Sequence, residues 1–291
     1  MLTIRTPATS ANIGPGFDCL GLALAIYNTF TVEKSDTWER LGADERFPVA
    51  DDLFLTAYRK GCGVIGECTP IHVRFDTSIP ACSGLGSSAS LICAGLAAAG
   101  ALHGNALSRQ DLLTLSTEME GHPDNVAPCI LGGLVASANG RGGLVSKNLP
   151  IDARWRFTVL MPDFEISTEE ARRRLPPSYT REEAVQNAAN AILVSHALST
   201  GDLGLILSQG EDRFHEPYRK GLIADYERIR KILESSLDGR LFISGSGPTL
   251  LFVSQEEPKT RLIEQITKET VAYWRVKTVP VAAGMVVREE A

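Results

Sequence analysis

Apolar and polar positions follow two different periods along the chain, and together they predict a mixed α+β protein. Ile71, Val73 and Phe75 alternate with polar residues, which is typical of a half-buried strand. Residues 51–64 carry apolar side chains near helical spacing, and residues 89–102 form an apolar run that indicates a helix buried on most sides. Further strands are predicted at residues 2–6, 30–34, 132–138, 155–160, 241–244 and 250–253, and further helices at residues 108–121, 169–175, 180–199, 222–237 and from about 258.

The order of these elements predicts the domain organisation. Thr180 and Glu183 form a capping box that starts one helix of the second half, and Gly201 follows its last turn. The sequence contains no internal repeat and no long linker. We therefore expect two α+β domains, which cover residues 1–150 and 151–291.

Composition narrows the class of protein. Hydrophobic residues make up 44% of the chain and charged residues 22%, which is enough to build a core. The net charge of −6 gives no electrostatic reason to expect nucleic acid or an anionic membrane as a partner. The N-terminus lacks a signal-peptide pattern, and residues 89–102 are shorter than the roughly 20 residues of a membrane span, so a cytoplasmic protein is predicted.

The cysteine pattern predicts no metal centre. All six cysteines lie in the first 129 residues, and none forms a CxxC pair or a zinc-type cluster with histidine. A chain of this length does not need disulfides, so reduced and mostly buried thiols are expected.

A glycine- and serine-rich segment ahead of the apolar run is the first candidate for chemistry. Glycines let the backbone approach a ligand closely, and the free N–H groups of the following helix suit a phosphate. Serine hydroxyls add groups for phosphate oxygens or Mg²⁺. The segment lacks a Walker A lysine, and taken alone it is equally typical of a close-packed helix start. Its residues are Pro80, Ala81, Cys82, Ser83, Gly84, Leu85, Gly86, Ser87, Ser88, Ala89 and Ser90.

Three more segments give this loop a context. They are residues 7–18, residues 120–125 (Glu-Gly-His-Pro-Asp-Asn) and residues 244–249 (Ser-Gly-Ser-Gly-Pro-Thr). In this order, the four segments resemble the signature regions of the GHMP kinases. The resemblance implies a two-domain GHMP kinase fold, with a ribosomal protein S5 domain 2-like N-terminal domain and a ferredoxin-like C-terminal domain. It also implies ATP and Mg²⁺ as cofactors and a site in the cleft between the domains.

Within that class, four strings are most similar to those of homoserine kinases. They are Ser-Ala-Asn-Ile-Gly-Pro-Gly-Phe-Asp at residues 10–18, His-Pro-Asp-Asn-Val-Ala-Pro at 122–128, Ser-Thr-Glu-Glu-Ala-Arg at 167–172 and Glu-Pro-Tyr-Arg at 216–219. The resemblance implies that residues 80–90 form the ATP phosphate loop and that Ser88 and Glu120 are Mg²⁺ ligands. The implied catalytic residues are Asp18, Asp124 and Asn125. The implied substrate-binding residues are Asn12, Asp18, His122, Asp124, Thr168, Arg172, Arg219 and Gly247.

The residue types agree with the substrate that this resemblance implies, L-homoserine, which would be converted to O-phospho-L-homoserine on the route to threonine. Two arginines can bind its carboxylate, and acidic side chains can bind its ammonium group. Phosphoryl transfer depends mainly on positioning and charge neutralisation. Whether Asp18 or Asp124 accepts the hydroxyl proton, or the phosphate itself does, is left open. The resemblance also implies a homodimer.

Two departures and two alternatives qualify the resemblance. Relatives have glycine where this chain has Cys82, so a side chain is expected to crowd the nucleotide or to require an unfavourable φ. Relatives have asparagine at the position of Asp52, which follows Asp51 here, and this departure is expected to change how the adenine base of the nucleotide is held.

Two alternative functions are open. They are another GHMP kinase acting on mevalonate or a sugar, and a non-catalytic protein that binds an amino acid or nucleotide on the same scaffold.

Overall fold

The computed structural model describes residues 1–46, 48 and 52–289, and within them the chain forms a seven-stranded and a four-stranded sheet covered by helices. The strands are β1 (Leu2–Ala11), β2 (Leu20–Lys34), β3 (Glu39–Leu41), β4 (Ile71–Asp76), β5 (Leu134–Gly140), β6 (Gly143–Leu149), β7 (Arg156–Pro162), β8 (Gly239–Ile243), β9 (Leu250–Ser254), β10 (Trp274–Val279) and β11 (Val286–Glu289). The helices are α1 (Leu53–Ile65), α2 (Ser87–Leu102), α3 (Arg109–Glu120), α4 (Pro123–Leu131), α5 (Thr168–Arg173), α6 (Arg181–Thr200), α7 (Leu203–Gln209), α8 (Glu216–Arg219), α9 (Tyr226–Glu234) and α10 (Thr260–Glu269).

The long strand β2 organises the first sheet, whose order is β11-β1-β2-β4-β3. β2 pairs with β1 along most of its length, with β5 at its beginning and with β4 at its end. β6 extends the branch that β5 starts. The C-terminal strand β11 returns to this sheet and pairs antiparallel with β1, so that Leu2 lies opposite Glu289.

Helices α1 and α2 cover the first sheet because small residues let them approach each other closely. A Cβ on Gly95 of α2 would lie 2.2 Å from the carbonyl oxygen of Phe54 in α1, so only glycine fits. Phe54 and Phe30 of β2 lie in the core beneath these helices, with ring centroids 5.2 Å apart. This packing places the N-terminus of α2 at the end of the sheet where β1 leads into its loop.

The second sheet has the order β10-β7-β9-β8 and is buried on both faces. One face packs on α9 and α10, with Phe252 and Trp274 in the core. The other face packs on α6 and on residues of the first half, so that Leu22 of β2 and Phe242 of β8 belong to one cluster. The two halves of the chain therefore share one hydrophobic core.

Several predicted boundaries were wrong in the first sheet. The strand predicted at residues 2–6 extends to Ala11, because β1 continues past Pro7 through a register shift between Pro7 and Ala8. The strand predicted at residues 30–34 is the end of β2, which already begins at Leu20. The predicted helix start at Asp51 lies outside the described residues, and α1 begins at Leu53 with Asp52 as its cap.

In the second half, the predicted capping box of α6 is confirmed, as is its end at Gly201, which has a φ of 71°. The helix predicted at residues 222–237 is shorter than expected, since α9 covers only Tyr226–Glu234 and a 3-10 turn precedes it. Strands β3, β6, β10 and β11 were not predicted. The boundary between residues 1–150 and 151–291 stays a prediction; β11 belongs to the first sheet.

All six cysteines are free, as predicted, but only Cys62, Cys93 and Cys129 are buried, so the expectation of mostly buried thiols was wrong for the other half. Among the described residues, no helix is long and apolar enough to cross a membrane. A cytoplasmic location stays a prediction.

Candidate active site

A cavity of about 140 Å³ lies where the β1–β2 loop, the N-terminus of α2, the α3–α4 junction, α5, α8 and the β8–β9 loop meet. Of the residues predicted to bind the substrate, all but one line it: Asn12, Asp18, His122, Asp124, Thr168, Arg172 and Arg219. The predicted catalytic residue Asn125 also lines it, as do Ser88 and Glu120. Residues from six separate segments of the chain thus line one small cavity.

The exception is Gly247. The cavity is lined by its neighbours Gly245 and Ser246. A Cβ on Gly84 of the glycine-rich segment would lie 2.7 Å from the carbonyl oxygen of Gly247. Gly247 therefore packs against the glycine-rich segment and does not line the cavity.

Backbone conformation of the glycine-rich segment leaves the first N–H groups of α2 open to a ligand. Gly84 and Gly86 have φ values of 82° and 67°, which favour glycine. Gly86 is the N-cap residue of α2 and has no side chain to occupy the amides that follow. A Cβ there would lie 2.0 Å from Oγ1 of Thr9. The segment forms a compact turn against β1 that presents a helix N-terminus to the cavity, a favourable place for an anion.

Not every residue predicted to bind the nucleotide faces a cavity. Leu85, Ala89 and Ser90 are buried in the core, and the hydroxyl of Ser90 hydrogen-bonds with Thr6 and Asn28. The others line one or both of two adjoining cavities: Pro80, Ala81, Cys82, Ser83, Gly84, Gly86, Ser87 and Ser88.

Cys82 adopts the strained conformation that its departure from glycine suggested. Its φ of 51° lies in the left-handed region, which confirms that expectation. The Cys82 side chain lines both cavities. Burial raises the pKa of its thiol, and the nearby Glu165 carboxylate adds to the effect. The thiol is therefore protonated at neutral pH.

A hydroxyl and a carboxylate beside the helix start form a donor set that fits Mg²⁺. Ser88 Oγ donates a 2.7 Å hydrogen bond to Oε2 of Glu120, the last residue of α3. Burial raises the pKa of Glu120 although this hydrogen bond opposes the shift, so the carboxylate lacks a full counter-charge. Oxygen ligands of this kind are those that Mg²⁺ prefers. The two residues thus suit a cation next to an anion-binding helix N-terminus.

Asp18 and Arg172 form an ion pair across the cavity. The two guanidinium nitrogens of Arg172 lie 3.0 and 3.3 Å from the two carboxylate oxygens of Asp18. Asn12 holds the Asp18 loop, because its Oδ1 accepts from the Asp18 amide at 3.0 Å and its Nδ2 donates to Gly245 O at 2.8 Å. The pair presents a negative and a positive group side by side.

Arg219 lies behind this pair and is only 2% exposed. Its guanidinium donates to Gly245 O at 3.1 Å and to Ala171 O at 3.4 Å. Burial lowers the pKa of Arg219, and the charge of Arg172 adds to the shift. Two guanidinium groups that converge in this way favour a shared anionic partner.

His122 and Asp124 line the cavity at the start of α4. His122 Nδ1 lies 2.5 Å from Asp124 Oδ1, and ligand atoms of these two residues and Asp18 all lie within 4.8 Å of one another. Burial opposes the charging of His122, but the hydrogen bond with Asp124 and the nearby charges prevail and raise the pKa of His122. Asn125 is held by Thr9, whose hydroxyl donates to Asn125 Oδ1 at 2.8 Å.

A second cavity, of about 740 Å³, adjoins the first at Cys82, Ser87 and Ser88. Asp52 lines it, and there its Oδ2 forms a 2.7 Å ion pair with Arg40 while its Oδ1 caps α1. The position where relatives have an asparagine amide thus presents a carboxylate joined to a guanidinium.

Sequence reasoning gave no role to His215, which contacts Arg219 from below. The two residues are spaced i and i+4 around a helical turn, and this spacing is the sequence signal that could have indicated a contact between His215 and Arg219. Thr9, the partner of Asn125, was likewise overlooked because it lies in a strand far from α4 along the chain.

Comparisons with known proteins agree with this geometry. Residues 52–133 match the family described as GHMP kinases N terminal domain. The chain is 37% identical over 281 residues to a homoserine kinase of Clostridium botulinum (strain Okra / Type B1), a match that covers 95% of each chain. It is also 37% identical to a homoserine kinase of Picosynechococcus sp. (strain ATCC 27264 / PCC 7002 / PR-6), with 92% of each chain covered.

Solved structures give the same answer for the fold. The crystal structure of homoserine kinase from Cytophaga hutchinsonii matches with a TM-score of 0.84 and 29% identity, over 99% of this chain and 97% of that one. The predicted α+β GHMP kinase fold is thereby confirmed. Because it is 37% identical over 95% of its length to a homoserine kinase and has the same fold, the chain belongs to the homoserine kinase family of the GHMP kinases.

Proposed function

We propose that this chain transfers the γ-phosphoryl group of ATP to the side-chain hydroxyl of L-homoserine, which yields O-phospho-L-homoserine and ADP, a step toward threonine. The relatives at 37% identity are named homoserine kinases. The observation that carries the proposal is the Asp18–Arg172 pair with Arg219 behind it. Opposite charges side by side match the ammonium and carboxylate groups of an amino acid, whereas a neutral sugar has no charged group for either residue.

The sizes of the two cavities agree with the two substrates. The cavity of about 140 Å³ is smaller than the roughly 300–1,000 Å³ of sites for drug-sized ligands, and it suits a small amino acid. The adjoining cavity of about 740 Å³ suits a nucleotide. They meet at Ser87 and Ser88, where the helix N-terminus would bind phosphate oxygens. The hydroxyl of one substrate would therefore lie near the terminal phosphate of the other.

We assign the residues as follows. Arg172 and Arg219 bind the substrate carboxylate, Asp18 binds its ammonium group, and Asn12 and Thr168 complete the polar wall. Ser88 and Glu120 would hold Mg²⁺, which supplies positive charge to the phosphate oxygens. The Asp124–His122 pair and the amide group of Asn125 would orient the hydroxyl. These assignments follow from the cavity lining and the family motifs.

The fate of the hydroxyl proton is a separate question. Asp18 and Asp124 both line the cavity and are candidates to accept it, and phosphoryl transfer also proceeds when the phosphate accepts the proton late. General bases contribute about 10²- to 10⁴-fold to a rate. If Asp18→Asn and Asp124→Asn both keep near-normal kcat, neither carboxylate is a base.

The test is ADP release with Mg-ATP against L-homoserine, L-serine, L-threonine, mevalonate and galactose. We expect turnover with L-homoserine, and its loss in Arg172→Ala and Arg219→Lys but not in the exposed neighbour Arg173→Ala. Turnover with mevalonate or galactose instead would keep the kinase class and refute the amino-acid site. Tight amino-acid binding without turnover would support the non-catalytic alternative.

We also propose a homodimer. The large apolar side chains Val185 and Ile192 on α6 are 64% and 70% exposed, and they lie two helical turns apart on one face of the helix. An Ile192→Asp variant should elute as a monomer with light-scattering mass to match. Val271→Asp, which changes an exposed side chain outside α6, is the control. A monomeric wild-type protein would refute the dimer.

A further inference from the structure

A fully buried histidine connects two parts of the small cavity. His215 is 0% exposed and directly precedes α8. Its Nε2 lies 3.0 Å from the carbonyl oxygen of Gly14, and its Nδ1 lies 3.4 Å from a terminal nitrogen of Arg219. Gly14 belongs to the β1–β2 loop, which also carries Asp18. His215 therefore bridges the loop of the acidic group and the buried arginine.

The two partners determine which ring nitrogen carries the proton. A carbonyl oxygen can only accept a hydrogen bond, and a guanidinium can only donate one. The hydrogen must therefore lie on Nε2, and the lone pair of Nδ1 must face Arg219. The imidazolium form would place a second hydrogen between Nδ1 and the guanidinium, where no acceptor remains.

Phe17 completes the connection. Its ring stacks on the His215 ring with centroids 5.4 Å apart and 25° between the planes. The guanidinium carbon of Arg219 lies 5.3 Å from the centroid of the same phenylalanine ring. Phe17 directly precedes Asp18 along the chain, so the aromatic group that packs on both His215 and Arg219 is tied to the acidic end of the cavity.

The backbone around His215 is itself held firmly. The amides of His215 and Glu216 both donate to Asp212 Oδ2 at 2.7 Å. The carboxyl group of Glu216 accepts from the amide of Ile243 at 2.7 Å, which joins this turn to β8. A side chain fixed in this way has one orientation, and that orientation is passed on to the arginine that it contacts.

We propose that neutral His215 is a positioning residue, which sets the Arg219 guanidinium for the substrate carboxylate and couples its place to the Asp18 loop. The proposal rests on the proposed function. Arg219 uses Nε and one terminal nitrogen for its contacts with Ala171 O, Gly245 O and His215. Among the described residues, its other terminal nitrogen has no recorded partner and is the one free for a carboxylate in the cavity that Arg219 lines.

The charges that face His215 keep it neutral at ordinary pH. Burial lowers the pKa of His215, and the Arg219 charge lowers it further, while Asp212, the Gly14 carbonyl and Asp18 act in the opposite direction. As the pH falls, protonation would place a cation against Arg219 and disturb the carboxylate site. The acid side of the profile for homoserine affinity should therefore depend on this residue.

Two substitutions separate the two hydrogen bonds. The amide oxygen of His215→Asn can take the place of Nδ1 and accept from Arg219, whereas the amide of His215→Gln reaches the Nε2 position and keeps only the Gly14 contact. We expect His215→Gln to raise the KM for L-homoserine by roughly 10-fold or more, with kcat and the KM for ATP little changed. His215→Asn should stay within about 3-fold of wild type, and it should lose the acid-side rise in KM. The exposed His196→Gln is the matched control.

Equal KM values in wild type and both variants would overturn the proposal, and so would a parallel loss of kcat, ATP affinity and Tm in both, which would mean a purely structural role. If the wild-type protein does not turn over L-homoserine, the proposed function fails on its own. The ¹⁵N shifts of the His215 ring then decide the inference without any substrate. They should report a neutral ring with the hydrogen on Nε2, and a hydrogen on Nδ1 would refute the contact with Arg219.

Discussion

The Asp18–Arg172 ion pair is half-open to solvent, with side chains 35% and 40% exposed, and Asp18→Asn separates its effect on stability from its effect on substrate binding. Asp18 has a φ of 55°, a conformation that asparagine tolerates better than other non-glycine residues do. The substitution therefore removes the charge without adding backbone strain. Its amide can still accept a hydrogen bond through its oxygen.

The magnitudes decide which effect dominates. An exposed ion pair stabilises a protein by about 0–1 kcal/mol, so the free energy of unfolding should change by less than about 1 kcal/mol. A hydrogen bond to a charged group in a binding site contributes about 1.5–3 kcal/mol. The substitution also frees Arg172 from its ion pair with Asp18. The free energy of that ion pair is the smaller of the two, and it is the most that substrate binding can regain. The net result is a fall in kcat/KM for L-homoserine of roughly 10- to 100-fold in a normally folded protein.

The assay compares L-homoserine with 4-hydroxybutanoate, which has the same carboxylate and hydroxyl but no amino group. Wild type should prefer L-homoserine by the same roughly 10- to 100-fold. In Asp18→Asn this preference should nearly vanish, because the partner of the ammonium group is gone. The two substrates and two proteins form a double-mutant cycle, and the coupling free energy measures the Asp18–ammonium contact directly.

Two results would refute this reasoning. An unchanged preference for L-homoserine in Asp18→Asn would mean that the ammonium group binds elsewhere. A loss of kcat by the same factor with both substrates would assign Asp18 to the hydroxyl proton. Asp238→Asn, an exposed aspartate that lines neither cavity, controls for the change of net charge.

Three further predictions follow from single residues. Glu120→Gln should raise the Mg²⁺ concentration needed for half-maximal ADP release by at least roughly 10- to 100-fold, which is the loss of metal affinity that substitutions in the outer shell of a metal site cause. An unchanged Mg²⁺ titration would exclude Glu120 as a ligand. Burial raises the pKa of Glu216 from 4.5 to about 8, so the folded state retains a proton that the unfolded state has lost, and stability should fall as the pH rises through this range. Glu216→Gln should flatten that fall in Tm, and an identical pH dependence would contradict the assignment. Because Cys82 has a positive φ, Cys82→Val should lower the unfolding free energy by about 1–2 kcal/mol relative to Cys82→Gly, and equal melting temperatures would argue against the left-handed conformation.

Elements with local signals could be predicted from the sequence, and elements that depend on distant partners could not. The capping box of α6 was readable because Thr180 and Glu183 interact within one turn. Only the end of strand β2 was predicted, because the first half of the strand is buried and its sequence shows no alternation with polar residues. Pro7 argued against a strand, yet it is accommodated at the register shift of β1.

Helix α4 illustrates a local signal that misleads. Pro128 lies inside it and cannot donate to the carbonyl of Asp124, four residues earlier, and no helix was predicted there. In the structure this carbonyl faces Gly21 of β2 so closely that a Cβ on Gly21 would lie 1.8 Å from it. Tertiary packing thus takes the place of the missing helical contact.

The site residues were found through motif order, but their arrangement required the fold. Nothing in the sequence indicates that Asn12 bonds to Gly245 or that Asp18 pairs with Arg172, because these partners lie in different sheets and loops. The pairing of Asp52 with Arg40 was equally hidden, although the departure at residue 52 was noticed. Long-range contacts of this kind have no local periodicity to reveal them.

The pairing of β11 with β1 has a consequence for biosynthesis. Leu2 is translated long before its partner Glu289, which follows all the other strands of both sheets along the chain. Until then the outer edge of β1 exposes unpaired backbone groups, the kind of edge on which chains aggregate. The pairing of β11 with β1 joins residues that are far apart along the chain, and contacts of this kind form late in folding. A nascent chain that stalls shortly before β11 would thus be a template for association with its own copies.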